Sequence, residues 1–73
     1  MHTGLPPNVR LANEIAIQFT HVPADRAAEQ IAAHMRTFWD PRMLADLLSR
    51  VDAGTTDLDP LALAAAERLR ASA

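Results

Sequence analysis

The 73-residue sequence contains no cysteine, lysine or tyrosine, and it has only two glycines. Without cysteine, the chain can form neither disulfide bonds nor thiolate metal sites. The glycines, at positions 4 and 54, are too far apart to build a phosphate-binding loop. No apolar run approaches the roughly 20 residues of a transmembrane helix. These absences exclude a disulfide-stabilised fold, a P-loop nucleotide enzyme and an integral membrane protein.

Positive charge is also scarce, since the formal net charge is −2 and all seven cations are arginine. No basic stripe is present, so nucleic acid is not an expected partner. Arginine pairs with carboxylates in a planar geometry that suits interfaces, although a GC-rich genome is another source of this usage. The segment Met1–Pro7 lacks the charged and apolar regions of a secretory signal. We therefore expect a cytoplasmic protein that does not contact membranes.

Proline positions and hydrophobic periodicity predict an all-α fold, because no segment shows sustained β alternation. The expected architecture is a small bundle of about four short helices with no strands. Residues 1–6 are expected to form a disordered lead, and residues 7–71 a single small helical domain. The predicted helices span approximately residues 7–20, 24–37, 41–52 and 60–70. A chain this small buries only about 60% of its unfolded surface, so we expect it to depend on a partner or on self-association.

Helical spacing defines an apolar face on each predicted helix. On the first helix the face comprises Leu11, Ala12, Ile15, Ala16 and Phe19. On the second it comprises Ala24, Ala27, Ala28, Ile31, Met35 and Phe38. On the third it comprises Leu44, Leu47, Leu48 and Val51, and on the fourth Leu61, Ala62, Ala65, Ala66 and Leu69. The faces are rich in alanine, so the helices should pack closely around a light core.

The junction between the second and third helices carries the strongest local signal. Asp40 is a favourable N-cap, and Pro41 suits the first helical position because it needs no N–H there. Trp39 and Leu44 then have the spacing of a hydrophobic staple. The same Asp-Pro pattern recurs at Asp59 and Pro60, which predicts a second capped helix start.

The two aromatic residues at this junction have different expected environments. Phe38 continues the apolar stripe of the second helix, which favours a place in the core. Trp39 precedes the N-cap, and two environments are open for it. It could anchor the core at the turn, or it could stay half exposed, where tryptophan and the neighbouring Arg42 are typical interface hot spots.

The sequence contains no recognisable catalytic or metal-binding pattern. His2, His21 and His34 do not share a helical face with a second ligand at metal-binding spacing. Asp57 and Asp59 flank Leu58, but a capping role explains Asp59 and a loop position explains Asp57. We therefore predict no catalytic, cofactor-binding or metal-binding residue, and no enzyme activity in this chain.

Three sequence blocks resemble one protein family. The segment 34–43, HMRTFWDPRM, is similar to the signature of the delta subunit of NAD-dependent formate dehydrogenase. The segment 9–16, VRLANEIA, resembles the opening helix of that family, with Leu11 where methionine is common. The segments 51–54, VDAG, and 58–61, LDPL, resemble its closing pattern, although Thr55 replaces a usual glycine. The resemblance covers roughly residues 8–69.

This resemblance implies a noncatalytic accessory subunit of a cytoplasmic, molybdenum- or tungsten-dependent complex. In such complexes the large alpha subunit oxidises formate at a molybdopterin centre, and iron–sulfur clusters, FMN and NAD lie in the partner subunits. No cofactor is expected in this chain. The implied role is to stabilise or help assemble the cofactor-bearing subunits by docking a helix face, with the alpha subunit as the expected partner, alongside the beta and gamma subunits. The expected contact residues are Phe38, Trp39, Arg42 and Met43, with the face of the first helix as a second candidate.

Two alternatives remain open from the sequence. The chain could be a transient maturation chaperone for the molybdopterin-bearing subunit, or a free homodimeric helical module.

Overall fold

The fold is a bundle of four α-helices, seen in a computed structural model that describes residues 5–55 and 57–71. The helices are α1 (Pro7–Ile17), α2 (Ala24–Phe38), α3 (Pro41–Asp52) and α4 (Pro60–Ala71). No strand occurs in these two ranges, so the predicted all-α fold is confirmed. Within them, no helix combines the length and apolar character needed to cross a bilayer. Of the predicted disordered lead, residues 1–4 lie outside the described residues.

Two helix starts are capped by the aspartate that precedes a proline. The Asp40 Oδ1 atom accepts a hydrogen bond of 2.9 Å from the Met43 amide in the first turn of α3. The Asp59 Oδ1 atom accepts a bond of 2.9 Å from the Leu61 amide at the start of α4. Each carboxylate thus satisfies an amide that has no partner within the helix. Helices α1 and α2 have proline at the N-cap position and no side-chain cap.

The C-terminus of α3 is closed by a Schellman motif. Gly54 adopts a φ angle of 84°, which is inexpensive only for a residue without Cβ. The Gly54 amide donates to the Val51 carbonyl at 3.0 Å, and the Thr55 amide donates to the Arg50 carbonyl at 3.2 Å. These bonds satisfy carbonyls that the helix leaves free, so the chain can reverse direction toward α4.

The predicted end of the first helix was wrong by three residues. We expected helix to residue 20, but α1 ends at Ile17. The following residues form tighter turns, in which the Thr20 amide donates to the Ile17 carbonyl and the Val22 amide donates to the Phe19 carbonyl. Pro23 disfavours helical geometry at the residue before it, and the chain tightens ahead of that point.

Alanine dominates the core of the described residues. Fifteen hydrophobic residues are buried, and eight of them are alanine. The largest fully buried side chains are Val9, Ile31, Met35 and Leu47. Helix α2 makes its most extensive contacts with α4, where both facing surfaces are rich in alanine. Small side chains let the helix axes approach closely, but they contribute little buried apolar area for each residue.

Most members of the expected stripes are buried or half-buried. The exceptions are Leu11 on α1, which is 38% exposed, and on α2 Ala24, which is exposed, and Phe38, which is 72% exposed. Val9 on α1 and Ala32 on α2 are buried although the expected stripes did not include them.

Asn13 ties α1 to the segment that leads into α4. Its Nδ2 atom donates to the Asp57 carbonyl at 2.9 Å, and its Oδ1 atom accepts from the Asp59 amide at 2.7 Å. One amide side chain therefore satisfies both a donor and an acceptor of the same short segment. This contact joins residues more than 40 positions apart. It fixes the entry to α4 against the surface of α1.

We expect Asn13→Ala to lower the free energy of unfolding by about 1–3 kcal/mol, because the part-buried Asp59 amide would lose its partner. Chemical denaturation followed by circular dichroism measures this change. The control is Gln30→Ala on exposed α2 surface, expected to change stability by less than about 0.5 kcal/mol. Equal effects of the two substitutions would contradict a structural role for the Asn13 amide.

Candidate functional site

The α2–α3 junction is a sharp corner made by two extended residues. Helix α2 ends at Phe38 and α3 begins at Pro41. Trp39 has φ −89° and ψ 140°, and Asp40 has φ −77° and ψ 164°. Pro41 favours this extended geometry at Asp40, because its ring would clash with a helical residue before it. The corner is therefore set by the local sequence.

Trp39 is the buried member of the aromatic pair, so of its two expected environments the core place is the one found. Only 8% of its surface is accessible, and it belongs to the core cluster with Ile31 and Met35. These three residues are spaced four apart along the chain. The Trp39 amide still donates to the Met35 carbonyl at 2.8 Å, so the residue forms the C-terminal end of α2. Trp39 anchors the corner from inside.

Phe38 has the opposite environment from the one expected. It is the last residue of α2 and is 72% exposed, the highest exposure among the large hydrophobic residues of the described chain. The i+3 step from Met35 favoured Phe38 for the core, but the i+4 step leads to Trp39. The core therefore receives the indole of Trp39, and the phenyl ring of Phe38 lies mostly in solvent.

The exposed ring of Phe38 is not isolated from other side chains. The His34 ring lies one helical turn earlier, with ring centroids 4.7 Å apart and planes tilted by 39°. Both side chains are exposed, and a pair at this spacing on a helix holds each ring in a limited range of orientations. From the sequence, His34 was weighed only as a metal ligand, although its i, i+4 spacing to Phe38 could have indicated this pairing.

The remaining predicted contact residues lie just beyond the corner. Arg42 is exposed in the first turn of α3, whereas Met43 is half-buried and packs against the core cluster. We use the term corner surface for His34, Phe38 and Arg42. This surface presents an aromatic pair and a guanidinium on two successive helices, supported by the buried indole of Trp39.

A polar network centred on Asp46, in the middle of α3, links this helix to α1. Asp46 Oδ2 accepts a bond of 2.9 Å from Arg50 Nε and another of 2.9 Å from Asn8 Nδ2. The hydrogen bond from Arg50, with that from Asn8, lowers the pKa of the Asp46 carboxyl from its ordinary value of 3.8. Asp46 and Arg50 thus form an ion pair one helical turn apart on α3.

The described residues contain no group of three or more histidine, cysteine, aspartate or glutamate side chains placed to hold a metal ion. Asp57 and Asp59 are not a free carboxylate pair, because Asp59 caps α4 through its Oδ1 atom. His21 is exposed in the turn between α1 and α2.

The described residues thus define a small four-helix protein with an exposed aromatic corner. The family model for the NADH-dependent formate dehydrogenase delta subunit, FdsD, matches residues 9–66 of this chain. The chain therefore belongs to the formate dehydrogenase delta subunit family, and the resemblance noted in the sequence is confirmed. The match includes the whole corner. Searches of curated proteins and of solved structures gave no significant match.

We expect Trp39→Ala to destabilise the isolated chain by about 3–5 kcal/mol, enough to unfold a domain this small. The matched substitution Phe38→Ala should change stability by less than about 0.5 kcal/mol, because the phenyl ring is mostly in solvent. Thermal unfolding followed by circular dichroism at 222 nm compares the two. A large loss of stability in the Phe38 variant would contradict the assigned exposure.

The network at Asp46 predicts a pH dependence with a defined sign. Because the folded-state pKa is lowered, the stabilisation is complete above the unfolded pKa and is lost as pH falls through the folded value. The difference in unfolding free energy between wild type and Asp46→Asn should therefore be larger at pH 7 than at pH 2. Denaturant titrations at both pH values measure it. Arg50→Gln should reduce the pH-dependent part, and a difference independent of pH would refute the assignment.

Proposed function

We propose that this chain is a noncatalytic accessory subunit of a cytoplasmic NAD-dependent formate dehydrogenase complex. The match of the delta subunit family over residues 9–66 is the observation that carries this proposal. Formate oxidation and electron transfer would take place on molybdopterin, iron–sulfur, FMN and NAD groups held by partner subunits. This chain would stabilise those subunits or assist their assembly by docking a helix face.

The light core supports a function that depends on binding. Eight of the fifteen buried hydrophobic residues in the described chain are alanine, so the helices gain little apolar burial from one another. A partner that binds only the folded form stabilises it by mass action, by about 2.7 kcal/mol at one hundred times the dissociation constant. The same coupling stabilises the partner. Docking would therefore favour the folded state of both chains.

The corner surface is the contact site that we propose for the large alpha subunit. Phe38 and Arg42 are exposed there, and both residue types are common in interfaces. Met43 would lie at the edge of the contact, while Trp39 would act from inside by holding the corner in shape. A standard half-interface of about 800 Å² would cover roughly a sixth of the 4629 Å² accessible surface. The partner contact would thus extend well beyond one side chain.

We expect Phe38→Ala to weaken association with the complex by about 30-fold or more, which corresponds to an interface hot spot of about 2 kcal/mol. The measurement is co-purification of the other subunits with the tagged chain after co-expression of all subunits. The control is Ile17→Ala on α1, because Ile17 is also a large exposed hydrophobic residue, at 63%. Undiminished recovery with the Phe38 variant would show that the corner surface is not the contact.

Gel filtration of the purified assembly tests the kind of association. A stoichiometric subunit stays with the active peak, whereas a maturation chaperone is absent from it. A chain that elutes as a stable dimer and recovers no other subunit would contradict the accessory role altogether.

A further inference from the structure

A second surface of the molecule lies between α2 and α4, on residues that the corner surface does not include. It is an open groove of about 440 Å³, lined by Glu29, Ala32, Ala33, Arg36, Arg68 and Ala71. The two arginines lie in the last turns of their respective helices. The groove is thus made by the outer edges of the two helices that pack most extensively against each other.

The groove combines a small-residue floor with charged walls. Ala32, Ala33 and Ala71 have no atoms beyond Cβ, so a backbone or a helix could approach α2 and α4 closely there. Two guanidiniums and one carboxylate stand around this floor. Glu29 precedes Arg36 by two helical turns, which is about 10 Å along the helix axis. Glu29 is therefore separated from Arg36 along the α2 side of the groove.

Neither arginine belongs to the ion pairs found in the described part of the chain, which join Arg50 to Asp46 and Arg70 to Asp52. Arg36 and Arg68 therefore keep their hydrogen-bonding capacity for another molecule. A guanidinium binds a carboxylate through two parallel hydrogen bonds, a geometry that lysine cannot provide. The carbonyl ends of α2 and α4 favour cations at these positions, which explains their charge but leaves their donors unoccupied.

We propose that this groove binds an acidic segment of a partner subunit, with a carboxylate seated between Arg36 and Arg68. The inference rests on the proposed accessory function and adds a second contact to the corner surface. A protein carboxylate fits better than a nucleic acid, because Glu29 stands in the same groove and the chain carries a net charge of −2. Glu29, two helical turns before Arg36 on α2, would repel a second acidic residue and so favour one direction of the segment.

The test uses the complex co-expressed with the tagged chain, purified after nuclease treatment. We expect the double substitution Arg36→Gln and Arg68→Gln to weaken subunit association at least about tenfold. Association of wild type should weaken as the salt concentration rises from about 0.05 to 0.5 M, and association of the double variant should weaken less over the same range. The matched control is Arg10→Gln with Arg26→Gln, which removes the same charge from exposed positions outside the groove. Glu29→Gln should have the opposite effect and strengthen association two- to threefold.

The outcomes separate the groove from the proposed function. If wild type and the double variant recover the other subunits equally, the groove proposal is wrong and the accessory role stands. If wild type recovers no subunit, the accessory role fails and the groove proposal fails with it. Thermal unfolding of the free double variant checks its fold. If the double variant does not fold, the Glu29→Gln variant decides the proposal, because unchanged or weaker association with it would contradict the groove contact. Equal weakening by the control pair, or release by nuclease, would also overturn the proposal.

Discussion

The two extended residues between α2 and α3 set the arrangement on which the rest of the molecule depends. Asp40 cannot continue a helix before Pro41, and its carboxylate starts α3 by accepting a hydrogen bond from the Met43 amide. This leaves Trp39 to close α2 and to place its indole in the core. In a core built largely of alanine, that one large ring supplies apolar contact that the helices otherwise lack. Phe38, one residue earlier, is left mostly in solvent.

The helix ends followed from local chemistry and were largely predictable. Proline fixed the starts, the two Asp-Pro pairs capped α3 and α4, and Gly54 had the freedom that a Schellman motif needs. The end of α1 was less predictable, because the chain tightens into turns several residues before Pro23. Local sequence indicates that a helix must stop before a proline, but the final turn can take more than one hydrogen-bonding pattern.

The sequence indicated a corner at segment 38–43, which the family match covers, but not which of its two rings is buried. That this corner contacts a partner stays a prediction. The exchange of Phe38 and Trp39 depended on whether the core stripe advanced by three or four residues at the helix end. That choice is made by packing against the other helices, which a single sequence does not show. The bridge from Asn13 to the segment at Asp57 and Asp59 was missed for the same reason, because it joins distant parts of the chain.

The close contact between α2 and α4 also constrains how this sequence can change. Where two alanines face each other, the next smaller residue is glycine, which weakens a helix. Every larger residue must push the two axes apart, and this would shift the corner at one end of α2 along with the packing. We therefore expect the α2–α4 contact to tolerate neither smaller nor larger residues at these alanine positions. Alanine is required at these positions by the short distance between two helix backbones, much as glycine is required elsewhere by a positive φ angle.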